Sequence, residues 1–409
     1  ISFSTLDLKG EYLEDTLVLD KFELNLKDDS KINLLGIIDI QNILNSDFKI
    51  SGSNITSKNI IKFIDNLYSG PDLKALPEGI LKNFNIDYNE GMLKESSFSY
   101  QSNLGTNISV KGLIKSNNIF DSNLNIELTS TSSEEILELI NNFNFLDKFP
   151  KIEFDQLKIN SALNKGLFKI DTLNVIDGES NATISGEIDI YNKDNRNLEI
   201  KLTKFNQFDL FPFPQLEEIL TSLDTNYIDL DCFLIDTNLE IVNLEIPVSG
   251  NSNLNITGDV NLKNFKETFL NIKFNDIRPF HIKTILDQTN QLRYLNYIEL
   301  INFEEIQGSI FLDLKENSTL INGIEFIQED NVIGNISGEI SNSQFKGSVN
   351  FEKININQLD KKFFKTKRIK GFINVDLVLP NFISTDSYLN IGGTINGDIE
   401  VVISDDELG

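Results

Sequence analysis

The ten residues NATISGEIDI (181–190) place apolar groups on every second position, with a glycine among them. Ala182, Ile184, Ile188 and Ile190 share one parity with Gly186, whereas Thr183, Ser185, Glu187 and Asp189 fill the other. A period of two with one polar row specifies a β-strand buried on one face. Within its apolar row one position has no side chain to bury. The phrase returns as KINLLGIIDI (31–40), NISVKGLIKS (107–116), NLNITGDVNL (253–262) and GNISGEISNS (334–343). The glycines, Gly36, Gly112, Gly186, Gly258 and Gly338, are 76, 74, 72 and 80 residues apart. Regular spacing without Gly/Pro/Ser linkers predicts one continuous array over 1–409, each unit stacking on its neighbours.

The rest of the unit repeats as well. A second alternating strand follows each glycine, in DFKIS from 47, SNLNIELT from 122, NLEIKLTKF from 197, TFLNIKF from 268 and FKGSVNFEKI from 345. A short helical segment comes next, at 57–67, 132–143, 214–223, 279–288 and 357–364. The first has apolar residues at helical spacing, the second sets Ser132 and Glu135 in capping-box register, and the third opens on Pro214. Two or three further strands lead to the next glycine, and residues 83–112 align with 157–186. From about 365 the alternation persists with closer glycines, and 404–409 resembles a frayed end.

Composition narrows the function classes. Lys+Arg number 36 against Asp+Glu 62, a formal net charge of −26, which disfavours phosphate backbones and charge-driven adsorption to an anionic bilayer. Hydrophobic residues at 40% exclude wholesale disorder. Cys232 is the one cysteine, so neither an intrachain disulfide nor a thiolate metal cluster can form. There is no signal-like start and no apolar run near membrane-spanning length. The chain opens at Ile1 directly into a strand pattern and reads as a piece of a longer protein.

The expected fold is all-β with short helices: an elongated array of antiparallel strands in a curved, taco-like sheet with an apolar groove. Five units of about four strands, at about 4.8 Å per strand, would run on the order of 100 Å. The short helices are too few to cover the apolar face. Either the sheet closes into a solenoid filled by its own Ile, Leu and Phe, or it stays an open trough for a guest. A glycine in the apolar row relieves crowding where a strand bends and permits a bulge, so the five glycines are read as sheet-bending positions.

Alternating strands punctuated by apolar-x-Gly-x-apolar-x-apolar, each unit closing on a short helix, resemble the AsmA/TamB family. The most specific stretch is LPEGILKNFNIDYNEGMLKESSFSYQSNLGTNISVKGLI (76–114), which looks like the TamB type of Bacteroidota-like envelopes. The resemblance covers nearly the whole chain but is one of pattern, without a catalytic motif. It implies a periplasmic bridge anchored in the inner membrane outside this segment. Its apolar groove would conduct phospholipids towards the outer membrane, and some members work with an outer-membrane β-barrel partner. The energetics suit such a conduit: at about 0.8 kcal/mol per CH₂, a 16-carbon tail needs shelter worth roughly 13 kcal/mol. A tail covers on the order of 15 Å, so the expected groove is several lipids long.

The residues expected to line the groove are the apolar partners of the glycines: Ile108, Val110, Ile114, Ile184, Ile188, Leu254, Ile256, Val260, Ile336 and Ile340. Their role is non-directional solvation of acyl chains. No catalytic residue, cofactor, metal or nucleic-acid partner is expected, since no HExxH, GxSxG, GxxxxGK[ST] or GxGxxG occurs. The carboxylate pairs Asp405–Asp406 and Glu134–Glu135 are what 62 acids produce by chance. The single His281 is read as a surface or cap residue, GGTINGDIE (392–400) as strand and turn, and FDLFPFP (208–214) as a core-covering loop. The competing reading is a structural or adhesive β-solenoid of the cell surface with a self-filled core. The uniform Ile/Leu/Val lining favours the trough.

Overall fold

The computed structural model describes residues 3–60, 77–89, 92–115, 118–142, 153–207, 220–221, 223–248, 250–288, 301–341, 344–355, 372–385 and 388–396. Contacts divide the chain into two units, Ile1–Thr203 and Lys204–Gly409.

The repeat read from sequence is a four-strand module. Its first copy holds β1 (Phe3–Leu13), β2 (Thr16–Leu26), β3 (Lys31–Asp39) and β4 (Asp47–Thr56). The second holds β5 (Gly79–Asn89), β6 (Met92–Ser102), β7 (Asn107–Lys115) and β8 (Asn123–Ser130). The third holds β9 (Gln156–Asn164), β10 (Leu167–Asp177), β11 (Ser180–Asp189) and β12 (Arg196–Phe205), the last crossing the boundary between the units. In the second unit come β13 (Ile228–Ile235), β14 (Asn238–Pro247), β15 (Asn253–Asn261) and β16 (Phe269–Ile277). They are followed by β17 (Glu305–Asp313), β18 (Ser318–Gln328), β19 (Asn331–Ser341) and β20 (Gln344–Asn355), then β21 (Phe372–Thr385) and β22 (Tyr388–Asn396).

Within each unit every strand pairs antiparallel with its sequence neighbours, a meander from β1 to β12 and another from β13 to β22. The protein is thus all-β and antiparallel, as its period-two patterning requires. Two-residue turns join β1 to β2, β9 to β10 and β13 to β14. Lys165 and Gly166, at φ 47° and 89°, form the two-residue turn between β9 and β10, whose twist matches the flanking strands.

The third and fourth strands are joined by an Asx-type turn that recurs. The Asp39 carboxylate accepts from the Gln41 and Asn42 N–H groups, and Asp189 does the same for Tyr191 and Asn192. Helices follow the fourth strand: α1 (Ser133–Asn142) after β8 and α2 (Pro279–Gln288) after β16, at two of the expected slots. Of the other three, residues 57–60 and 220–221 are helical, and the remainder of 57–67 and 214–223, with all of 357–364, lie outside the described residues. So do 208–214, 397–400 and 404–409, whereas 392–396 are strand, as the sequence implied.

Gly186 accounts for the gap in the apolar row. Its φ of 131° is one that a side chain rarely permits, and a Cβ there would overlap the Asn197 carbonyl oxygen of β12. On the other side β10 carries a bulge: Ile170 faces Gly186 and Leu173 faces Ile184, so Asp171 and Thr172 together oppose Ser185. Gly36, Gly258 and Gly338 repeat both features, and at Gly112 the bulge lies one pair further along, opposite Leu113. The glycine therefore marks a bulged strand on one flank and a closely approaching backbone on the other.

Candidate apolar ligand face

All ten residues expected to line a groove lie on one face of their strands, alternating with polar neighbours such as Ser109, Thr183, Asn255 and Ser337 on the other. Register joins several of them into rows. In the first unit Tyr100, Ile108, Leu128, Ile159, Leu173, Ile184 and Ile200 are successive cross-strand partners over β6–β12. In the second unit Leu230, Leu244, Ile256, Ile272, Ile310 and Ile321 do the same over β13–β18. Leu254 pairs with Ile246 and Phe274, Val260 with Leu239, Ile336 with Ile324 and Val349, and Ile188 with Phe168. Ile114 faces Leu93, while Ile340 lies between Thr319 and Phe345. Cross-strand aliphatic pairs are the unit of sheet stabilisation, so each row also holds the sheet together.

Burial on this face is mixed: the partners Tyr100, Ile246 and Phe274 are 5–6% exposed, while most of the expected lining is less covered. Of the ten residues only Val110 is buried, at 9% exposure; Ile340 is exposed at 38%, and the other eight are half-buried. The expected lining itself contributes to a buried cluster of Val110, Leu124 and Leu163, with Phe98, Ile108, Ile114, Ile126, Phe168 and Ile190 packed against it.

Helix α1 covers one end of the face. Ile136 packs on Leu157, with Ile108, Leu128, Ile159 and Val175 around them. The helix start departs from the expected capping box. Ser132 Oγ accepts the Glu135 N–H at 3.3 Å, but the Glu135 carboxylate does not return to the Ser132 N–H, which donates instead to Ser130 Oγ. Glu135, 3% exposed, turns into the sheet edge, where Ser102 and Thr106 donate their hydroxyls to Oε2 at 2.6 and 2.5 Å. Sequence reasoning missed this anchor because its partners lie 29 and 33 residues away.

The same strand end holds a second anchor. The Tyr100 hydroxyl donates to the Pro77 carbonyl, and burial pushes its pKa up to about 12. The Leu-Pro element at 76–77 thus includes the acceptor for a strand-end tyrosine.

His281 corrects the surface reading. It is fully buried at the start of α2, and its Nδ1 accepts the Arg278 N–H at 3.2 Å, which retains the capping role. Burial, with the Arg278 charge nearby, holds its pKa below the usual histidine value. Cys232 is also buried, which pushes its thiol up to about 11 and leaves it inert. Among the described residues no group of His, Cys, Asp and Glu is placed to hold a metal, and no helix is long and apolar enough to cross a membrane. Comparison with family models, characterised proteins and solved structures yields no match.

Proposed function

We propose that this chain is a groove segment of a bridge-like lipid-transfer protein of the AsmA/TamB type, whose apolar face conducts phospholipid acyl chains between inner and outer membrane. The observation that carries the reading is the partial burial of the aliphatic rows. A self-filled solenoid would bury these tips below a tenth of their surface, whereas a face kept for a guest leaves them half-covered. Acyl chains suit it because its lining is aliphatic and repetitive, offering contact without hydrogen-bond direction. A row of cross-strand partners also presents equivalent positions every 4.7–4.9 Å or so, which favours sliding over one fixed pose. The acidic balance keeps an apolar-faced protein dispersed. On this reading the role is non-catalytic, the location is the periplasm with an inner-membrane anchor elsewhere in the protein, and an outer-membrane β-barrel is a candidate partner.

Native mass spectrometry of the purified protein tests it. Phospholipid adducts are expected, reduced at least fivefold by Ile184→Asp together with Ile256→Asp and retained in Thr183→Asp, which changes the opposite face. A protein without lipid that also fails to take up a fluorescent phospholipid would sink the transport reading and leave the solenoid.

A further inference from the structure

The polar face of the second unit carries a recess of about 200 Å³ lined by Asn243, Asn255, Thr257, Asn271 and Lys273. It lies across β14, β15 and β16, on the side opposite Ile256 and Ile272. Register explains the convergence: Asn255 pairs with Lys273 and Thr257 with Asn271, while Asn243 sits in the β14 bulge facing them. None of the five side chains makes a hydrogen bond or ion pair with the described residues.

In two other modules some of the same positions are paired, whereas Ser109, Lys111, Asn125 and Glu127 of β7 and β8 make no hydrogen bond or ion pair with the described residues either. Lys201, the counterpart of Lys273, is ion-paired with Glu199 at 2.5 Å. Ser337 and Ser348, the counterparts of Thr257 and Asn271, bond each other at 2.9 Å. Beside the recess, Asp231 faces Asn243 across the ladder and keeps a buried Oδ1 without a hydrogen-bond partner.

We propose that this recess binds a neutral, hydroxyl-rich ligand, a saccharide. Three primary amides and a hydroxyl offer donors and acceptors side by side, which is the complement of a sugar hydroxyl, itself both donor and acceptor. A free anion is disfavoured by Asp231 and by Glu245, which faces Asn255, and by the chain's net charge of −26. A free cation is disfavoured by Lys273 at the other side. A recess of about 200 Å³ is on the scale of a single sugar ring. No aromatic ring lines it, so the stacking that gives tight sugar binding is missing and affinity is expected in the millimolar range.

Saturation-transfer difference NMR on the whole chain, with maltose and with N,N′-diacetylchitobiose as probes, tests the assignment. Transfer is expected with at least one sugar, falling at least fivefold in Asn243→Ala/Asn271→Ala and in the near-isosteric Thr257→Val. The melting temperature of Thr257→Val checks that the fold is intact. Lys111→Ala, on the polar face of the first unit, is expected to leave the signal unchanged. Absence of transfer from both sugars, or transfer equal in all three variants, would overturn the proposal. So would displacement of the sugar by inorganic phosphate at matched ionic strength, which would make the recess an anion site.

Discussion

Gly186 is the smallest residue of its strand and the least replaceable. Alanine there meets two penalties at once, a φ that side chains rarely adopt and overlap with the Asn197 carbonyl oxygen. Backbone strain of this kind costs of order 1–3 kcal/mol, and the overlap adds to it. Urea titration of Gly186→Ala should therefore show a loss of at least about 2 kcal/mol. Gly178→Ala, at a turn with φ 56° and open space where a Cβ would go, should lose only about 1 kcal/mol. His281 predicts a pH effect. Its folded pKa is depressed, so its contribution is fully present above the unfolded value near 6.5 and is lost as pH falls towards the folded one. Protection factors over 279–288, corrected for the intrinsic pH dependence of exchange, should fall as pH is lowered from about 7 to 5, and His281→Gln should flatten that dependence.

At the scale of elements, the modules differ in how they hold their helix. Helix α1 is tied by Ile136 to the apolar face and by Glu135 to the hydroxyls of Ser102 and Thr106. Glu135→Ala would remove the charged acceptor of both hydroxyls, at about 1–3 kcal/mol, leaving Ser102 Oγ its bond from the Thr106 N–H and Thr106 Oγ1 its contact with Ser130 Oγ. The outcome expected is faster hydrogen exchange across 133–142, with β10 and β11 little changed, whereas Glu135→Gln, which can still accept, should preserve most of the protection. Unchanged exchange in Glu135→Ala would mean that Ile136 alone docks the helix. The bulges belong to this scale too. Each second strand of a module has an extra residue there, polar at Asp171–Thr172 and glycine-containing at Asn322–Gly323, while Thr172 and Asn322 still pair with the preceding strand.

At the scale of the molecule, meander topology makes stability local. A strand contacts its two neighbours and little else, so the energy is close to a sum over modules and their joints. Gly112→Val, in the first unit, should raise hydrogen exchange in β6–β8 while leaving β15–β18 at wild-type protection. A uniform rise through both units would instead indicate one cooperative transition and contradict the modular account. The same topology lets the apolar rows reach from strand to strand, which an acyl conduit requires and an ordinary small pocket does not.

The period of two, the recurrence of the glycine phrase and the placement of helices after β8 and β16 were all legible in the sequence, because they depend on local alternation and spacing. The ten residues expected to line a groove could be assigned to one face of their strands for the same reason: parity is a property of the chain. Why the row needs a glycine was only half legible. A bend or bulge could be inferred, but the bulge sits in β10 and the crowding atom belongs to β12, and neither is visible from β11 alone. The Glu135 anchor, the burial of His281 and the unpartnered amides around Lys273 likewise arise from residues far apart in sequence. They were decided by register, since which polar groups meet across a ladder depends on every turn and bulge between them.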